Sequence, residues 1–340
     1  MNSAEIEELY NLGKNYLYGQ SVTKDYAKAA EYLTKAAEQG HAEAQNGIGY
    51  CYEYGLGVPK SYEKAFAWYF KAAEQGYPVA QLNVGLAYRD GRGVEQSEEK
   101  AANWFKKSAE QGYAIAQSNL GYCCEFGIGV PQSYENAVKW YAKAAEQGLA
   151  MAQFNIGLCH YKGVGTPQDY ARAVYWFSKA AEQEHKQAQF YMGMCYTYGY
   201  GVPQNYDNAA KWYLKSAEQG HAGAQCSIGY CFEHGQGVPQ NNESAASWYL
   251  KSAEQGFKTA QYNIGLFCYR GIGVPKNEAQ AAKWFLKAAE QGHKQAQFNI
   301  GYCYNKGIGV PQDNGQAKIW LGKAAAQGHT QAGDLLKTIF

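Results

Sequence analysis

From Ala42 to Tyr54 the small and apolar residues Ala44, Ile48, Cys51 and Tyr52 fall at i, i+4, i+7 and i+8, the stripe of an amphipathic helix. Gly55 follows where a helix ends in a left-handed residue, and Pro59 cannot continue a helix. Ser61 then offers an oxygen to the free N–H groups of a second helix, which the pattern runs to Gln75 and stops at Gly76. The same signals return every 36 residues. At the place of Ser61 stand Asp25, Ser97, Ser133, Asp169, Asn205, Asn241, Asn277 and Asp313, all side chains able to cap a helix. No stretch shows the alternation of a strand, so the chain is predicted to be all-α.

The end of each second helix carries the clearest mark of the period. Ala-Ala-Glu-Gln-Gly stands at Ala36–Gly40, Ala72–Gly76, Ala144–Gly148 and Ala288–Gly292, and returns altered at Ser108–Gly112, Ala180–Glu184, Ser216–Gly220, Ser252–Gly256 and Ala324–Gly328. A fixed period of this length means one helix-turn-helix unit stacked on copies of itself. The expectation is a single repeat domain over 1–340, with repeats near 5–40, 41–76, 77–112, 113–148, 149–184, 185–220, 221–256, 257–292 and 293–328 and a capping half-repeat at 329–340. Such stacks present long surfaces to partners, so the starting expectation is a binding scaffold.

Residues that recur at one position of the repeat divide into packing and surface. All eight tryptophans share one place in the second helix, from Trp68 to Trp320, with Ala65 or its equivalent three residues before; the row reads as core. Glycines inside the first helix (Gly49, Gly85, Gly121, Gly157, Gly193, Gly229, Gly265, Gly301) each cost about 1 kcal/mol against alanine, and close helix approach is the expected compensation. Lys71 and Glu74 and their equivalents are read as a solvated ion-pair ladder. Six of the nine cysteines, Cys51, Cys123, Cys159, Cys195, Cys231 and Cys303, share a position that Ala87 and Phe267 also fill. A place open to Cys, Ala or Phe is a packing place, and equivalent helices lie roughly 10 Å apart, beyond disulfide reach; reduced structural thiols are expected.

Charge and chemistry narrow the reading. A net charge of +1 gives no footprint for nucleic acid, and no apolar run is long enough for membrane insertion. Met1–Tyr10 is acidic and lacks the parts of a signal peptide, so cytoplasmic residence is expected. The Gly-x-Gly-Val-Pro turns follow no strand and precede no Gly-Lys-Ser/Thr, so they are punctuation rather than phosphate loops. His41, His185, His221, His293 and His329 share the start of the first helix and are read as caps. Cys124, Cys159 and His160 form the one Cys/His cluster, judged too widely spaced for zinc. No catalytic constellation, metal site or cofactor is expected, and the chain is read as a non-enzyme.

Gln81 to Gly85, Tyr88, Gly91, Gly93-Val94, Ala101, Trp104-Phe105 and Lys107 to Gly112 together resemble the Sel-one-like repeat family, relatives of TPR proteins. The resemblance spans the nine repeats and implies a right-handed α–α superhelix (solenoid), close to one superhelical turn, whose first helices line the concave groove. It implies a bacterial adaptor binding a protein or peptide. A toxin-neutralising protein with one tight partner and a carbohydrate or peptidoglycan binder are the alternatives, and a small-molecule ligand is not expected. The residues expected to face such a partner are Tyr50, Tyr54, Tyr122, Phe126, Phe154, Tyr161, Phe190, Met194, Tyr198, Tyr230, Tyr262, Tyr269, Phe298 and Tyr302, together with Asn83, Asn119, Asn155 and Asn263 of an asparagine ladder that Asn299 continues. Tyrosine gives contact area at low entropic cost, and an asparagine amide can pair with a peptide backbone. Residues 184–234 depart most from the repeat, through Glu184, Tyr191, Met192, Met194, Cys226 and Ser227, and are expected to be where this copy is specialised.

Overall fold

The computed structural model describes residues 1–339. Among them there are nineteen helices and no strand. Their contacts group into two units, Met1–Asp169 and the chain from Tyr170 onward. The first holds α1 (Ser3–Tyr18), α2 (Tyr26–Glu38), α3 (Ala42–Tyr54), α4 (Tyr62–Glu74), α5 (Pro78–Asp90), α6 (Glu98–Glu110), α7 (Ala114–Phe126), α8 (Tyr134–Glu146) and α9 (Ala150–Lys162). The second holds α10 (Tyr170–Glu182), α11 (Lys186–Tyr198), α12 (Tyr206–Glu218), α13 (Ala222–His234), α14 (Asn242–Glu254), α15 (Lys258–Arg270), α16 (Glu278–Glu290), α17 (Lys294–Lys306), α18 (Asn314–Ala326) and α19 (Thr330–Ile339). Within each unit every helix packs on the next, the arrangement of an all-α solenoid.

The local signals act as read. Asp25, Ser61, Ser97, Ser133, Asn205, Asn241, Asn277 and Asp313 each accept a hydrogen bond from the backbone N–H three residues on. His41, His185, His221, His293 and His329 cap α3, α11, α13, α17 and α19 through Nδ1, at 3.0–3.3 Å. Gly55 is left-handed, and Gly57 brings its backbone against the Tyr26 carbonyl of the preceding repeat, where no Cβ would fit.

Close approach explains the helix glycines. A Cβ at Gly49 would lie 2.7 Å from the Tyr69 ring, and one at Gly229 would lie 2.8 Å from Tyr249. Those rings, with Phe105, Tyr141, Phe177, Tyr213, Phe285 and Leu321 at the same position, are the buried anchors of the second helices. Every one directly follows a tryptophan. The tryptophan row itself is therefore only partly core: Trp284 and Trp320 are buried, but Trp68, Trp104, Trp140, Trp176, Trp212 and Trp248 are half-buried. The lysine three residues on lies over each indole, 4.2 Å away in Lys71–Trp68 and 3.8 Å in Lys107–Trp104. This corrects the ion-pair ladder. Lys71 closes the outer face of Trp68 by cation–π contact, and no Lys71–Glu74 bridge forms.

A buried glutamine joins each repeat to the one before. Gln225 is 5% exposed; its Nε2 donates to the Ala217 carbonyl at 3.1 Å, and its Oε1 accepts from Gln255 at 2.7 Å. Gln45, Gln81, Gln117, Gln189, Gln261 and Gln297 make the same two bonds. Gln75 and its equivalents, from the recurring Ala-Ala-Glu-Gln-Gly, are the donors. A buried amide satisfied at both ends stabilises one stacking register, since leaving either partner unpaired costs desolvation.

Candidate functional site

The face formed by the first helix of each pair carries the exposed rings. Tyr50, Tyr54, Tyr122, Phe126, Tyr198, Tyr230 and Tyr302 are exposed there, Tyr198 at 60%. Tyr50 pairs with Tyr54 and Tyr122 with Phe126, each one helical turn apart and at 4.6 Å between centroids, and Tyr230 pairs with His234 at 4.0 Å. Such pairs restrict the rotamers of exposed rings before any partner arrives, which lowers the entropic cost of binding.

The remaining expected residues are placed differently. Phe190, Tyr262 and Phe298 are half-buried and stack on the capping imidazoles of the next repeat, His221, His293 and His329, at 4.6, 4.6 and 4.4 Å. Their faces are spent on repeat-to-repeat packing. Phe154, Tyr161, Met194 and Tyr269 are half-buried. The asparagines do not form one ladder. Asn83 donates to Asn46 Oδ1 at 2.9 Å and Asn119 to the Ile115 carbonyl of its own helix at 2.8 Å, while Asn155 and Asn263 are half-buried.

Beneath the exposed rings, the buried anchor of the second helix decides the chemistry. The Tyr69 hydroxyl donates to Glu53 at 2.7 Å, Tyr141 to Glu125 at 2.7 Å, and Tyr249 to Glu233 at 2.6 Å; Tyr213 meets Thr197 at 3.0 Å. Burial, and then the carboxylate beside it, pushes the Tyr69 phenol far up, so it stays a neutral donor. Where the anchor is Phe105 or Phe285, the facing residue is Arg89 or Tyr269 instead of an acid. Glu53 is also paired with Arg92, whose second amino group reaches Asp90 at 2.9 Å.

Grooves open on the first-helix face within each unit. In the first unit Tyr50, Tyr54, Glu53, Asn83 and Arg92 line one of ≈150 Å³. In the second, Tyr198, Tyr230, Ser227 and Asn263 line one of ≈420 Å³, and Tyr269, Arg270, Phe298, Tyr302 and Asp334 line one of ≈650 Å³. The grooves thus gather nine of the expected residues. The cysteine thiols are buried, and burial pushes Cys51 up to about 11 and Cys195 to about 12. Among the described residues no group of His, Cys, Asp and Glu could hold a metal, and no helix is long and apolar enough to cross a membrane.

Comparison with known proteins agrees with this architecture. The Sel1 repeat matches nine consecutive segments, from residues 9–41 to residues 294–329. The chain is similar to c5321, described as a protective antigen present in uropathogenic Escherichia coli strains, at 34% identity over 100% of this chain and 82% of that one, with a TM-score of 0.75. It is also similar to a Sel1 repeat protein from Oxalobacter formigenes, at 35% identity over 91% of this chain and 90% of that one, with a TM-score of 0.69. No curated protein matches the chain.

Proposed function

The chain belongs to the Sel1 repeat family, and from that premise we propose that it is a non-catalytic scaffold that holds a segment of a partner protein, or a peptide, on the face of its first helices. The observation that carries this reading is the run of exposed, pre-paired rings at Tyr50–Tyr54, Tyr122–Phe126 and Tyr230–His234. Their position in the repeat makes no demand on packing, because the glycine, glutamine and anchor rows fill the core without them. Exposed tyrosines of this kind are the residues that anchor protein interfaces.

The carbohydrate alternative draws no support from the tryptophans, whose outer faces are covered by lysine ammonium groups. A single tight partner, as a toxin-neutralising protein requires, would use the same face and would differ in affinity and stoichiometry. The test is affinity recovery of partners from native extract, with wild type beside a Tyr54→Ala/Tyr122→Ala/Phe126→Ala variant. These side chains are exposed, so the variant keeps the fold. A protein retained by wild type and lost by the variant supports the reading; equal retention by both refutes it.

A further inference from the structure

Across α11, α13, α15 and α17 the face of the first helices is interrupted once. Phe190-Tyr191, Tyr262-Asn263 and Phe298-Asn299 occupy one pair of positions, and Cys226-Ser227 takes their place in α13. The rings at Phe190, Tyr262 and Phe298 fill the space between neighbouring first helices by stacking on imidazoles. Cys226 has no ring to offer, and the residue that would receive it is Phe257 rather than a histidine. The space stays open as the groove of ≈420 Å³ between α11, α12, α13 and α15.

Its walls are unusual in two respects. None of the lining residues is charged. The groove of the first unit, by contrast, contains Glu53 and Arg92, and that beside α19 contains Arg270 and Asp334. The nearest carboxylate along α13, Glu233, is turned into the core to accept from Tyr249 at 2.6 Å. Secondly, the walls hold hydrogen-bonding capacity that the protein does not use. Tyr198, Ser227, Tyr230, Gln236, Thr259 and Asn263 line the groove, and among the described residues their side chains bond to no other protein group. The hydroxyl and amide groups there are both donors and acceptors.

We propose that this groove docks an uncharged polar segment of a partner chain, two or three residues of Ser, Thr, Asn, Gln or Gly in extended form. The proposal rests on reading the first-helix face as a protein-binding surface. The peptide N–H and C=O groups of such a segment find acceptors and donors in the hydroxyls and amides. Tyr198 and Tyr230 cover its flanks with rigid, amphipathic area. A charged side chain entering the same space would leave water without a counter-charge, which excludes it. The cysteine-serine pair therefore determines specificity by its small size, and the neutral walls by what they do not pair.

The test uses the full chain and three pools of fluorescently labelled, end-capped hexapeptides: one of Ser, Thr, Asn, Gln and Gly, one that adds Asp or Glu, and one that adds Lys or Arg. Cys226→Phe/Ser227→Asn fills the groove with the residues found at Phe298-Asn299, and Asn263→Ala removes one polar wall without filling it. We expect the neutral pool to bind, at least tenfold more tightly than either charged pool. Binding should fall at least tenfold in the filled variant and severalfold in Asn263→Ala. Equal binding by wild type and the filled variant overturns the proposal, as does a charged pool that binds as tightly as the neutral one. No binding by any pool, or binding of chitotriose alone, overturns it too. A partner lost by the Tyr54/Tyr122/Phe126 variant but kept by the filled groove would leave the face reading standing and this proposal refuted. A partner kept by both would remove the face reading itself.

Discussion

Gly229→Ala is expected to destabilise the second unit although it removes a helix-breaking residue. The new methyl would sit 2.8 Å from Cδ1 and 2.9 Å from Cε1 of Tyr249, against an ordinary contact that begins near 3.4 Å. The ring must retreat by about half an ångström to reach ordinary contact. It has nowhere to go. Tyr249 is 0% exposed, its hydroxyl donates to Glu233, and its edge meets Phe267 at 5.4 Å. Overpacking of this kind costs about 1–3 kcal/mol, while the gain in helix propensity returns about 1 kcal/mol. The net effect is thus a loss of up to about 2 kcal/mol, with the Tyr249–Glu233 bond lengthened. Gly322→Ala is the matched control, since a Cβ there meets nothing within 4 Å and only the propensity gain applies. Urea titration followed by far-ultraviolet circular dichroism should move the midpoint down for Gly229→Ala and up for Gly322→Ala. Two shifts of the same sign and size would refute the argument that close approach, rather than local backbone preference, places these glycines.

Three further outcomes follow from the same geometry. Glu184 sits at φ +64° where other repeats place glycine, so Glu184→Gly should stabilise by about 1 kcal/mol, read as a raised urea midpoint. Gln225→Leu leaves Gln255 without its acceptor and should cost about 1–3 kcal/mol; adding Gln255→Leu should cost less than the sum of the single changes, which a double-mutant cycle checks. Burial holds His185, His221 and His293 below the usual imidazole range, helped at His221 by Lys186 and at His293 by Lys258. An unfolded imidazole titrates near ~6.5, so the unfolded chain binds more protons below that pH. Their contribution is complete above pH ~6.5 and is lost as pH falls toward the folded values. Melting temperature should drop between pH 7.5 and 5.5, and His221→Asn, which keeps the cap, should lessen the drop.

Much of this fold was legible because its signals are local. The α3 bounds, Ala42 and Tyr54, and the cap at Ser61 each depend on residues within one turn, and they stand where the periodicity put them. The glutamine row was not read, because its meaning is distant: Gln225 bonds to a carbonyl eight residues back and an amide thirty residues ahead. Its recurrence at Gln45, Gln81, Gln117, Gln153, Gln189, Gln225, Gln261 and Gln297 was the available signal. The tryptophans misled because the most conspicuous ring is not the deepest; the less uniform residue after it is. At the site, exposed rings such as Tyr122 and Tyr198 were recognisable by variation from repeat to repeat. Phe190, Tyr262 and Phe298 vary too, but in step with a second position. A ring at Tyr10, Phe154, Phe190, Tyr262 or Phe298 is followed thirty-one residues later by histidine, whereas Asn46, Leu82, Ser118 and Cys226 are followed by Tyr77, Tyr113, Leu149 and Phe257. Packing written as a pair is invisible when each position is read alone.

The claim that the first-helix face is the binding surface is tested most directly by site-specific photo-crosslinking. A photoreactive phenylalanine analogue would replace Tyr198 on that face in one variant and Tyr175 on a second helix in another, sites of similar exposure at 60% and 52%. With the partner recovered from native extract, the account predicts a covalent adduct from position 198 and none from position 175. An adduct from position 175 alone, or equal yields from both, would contradict it.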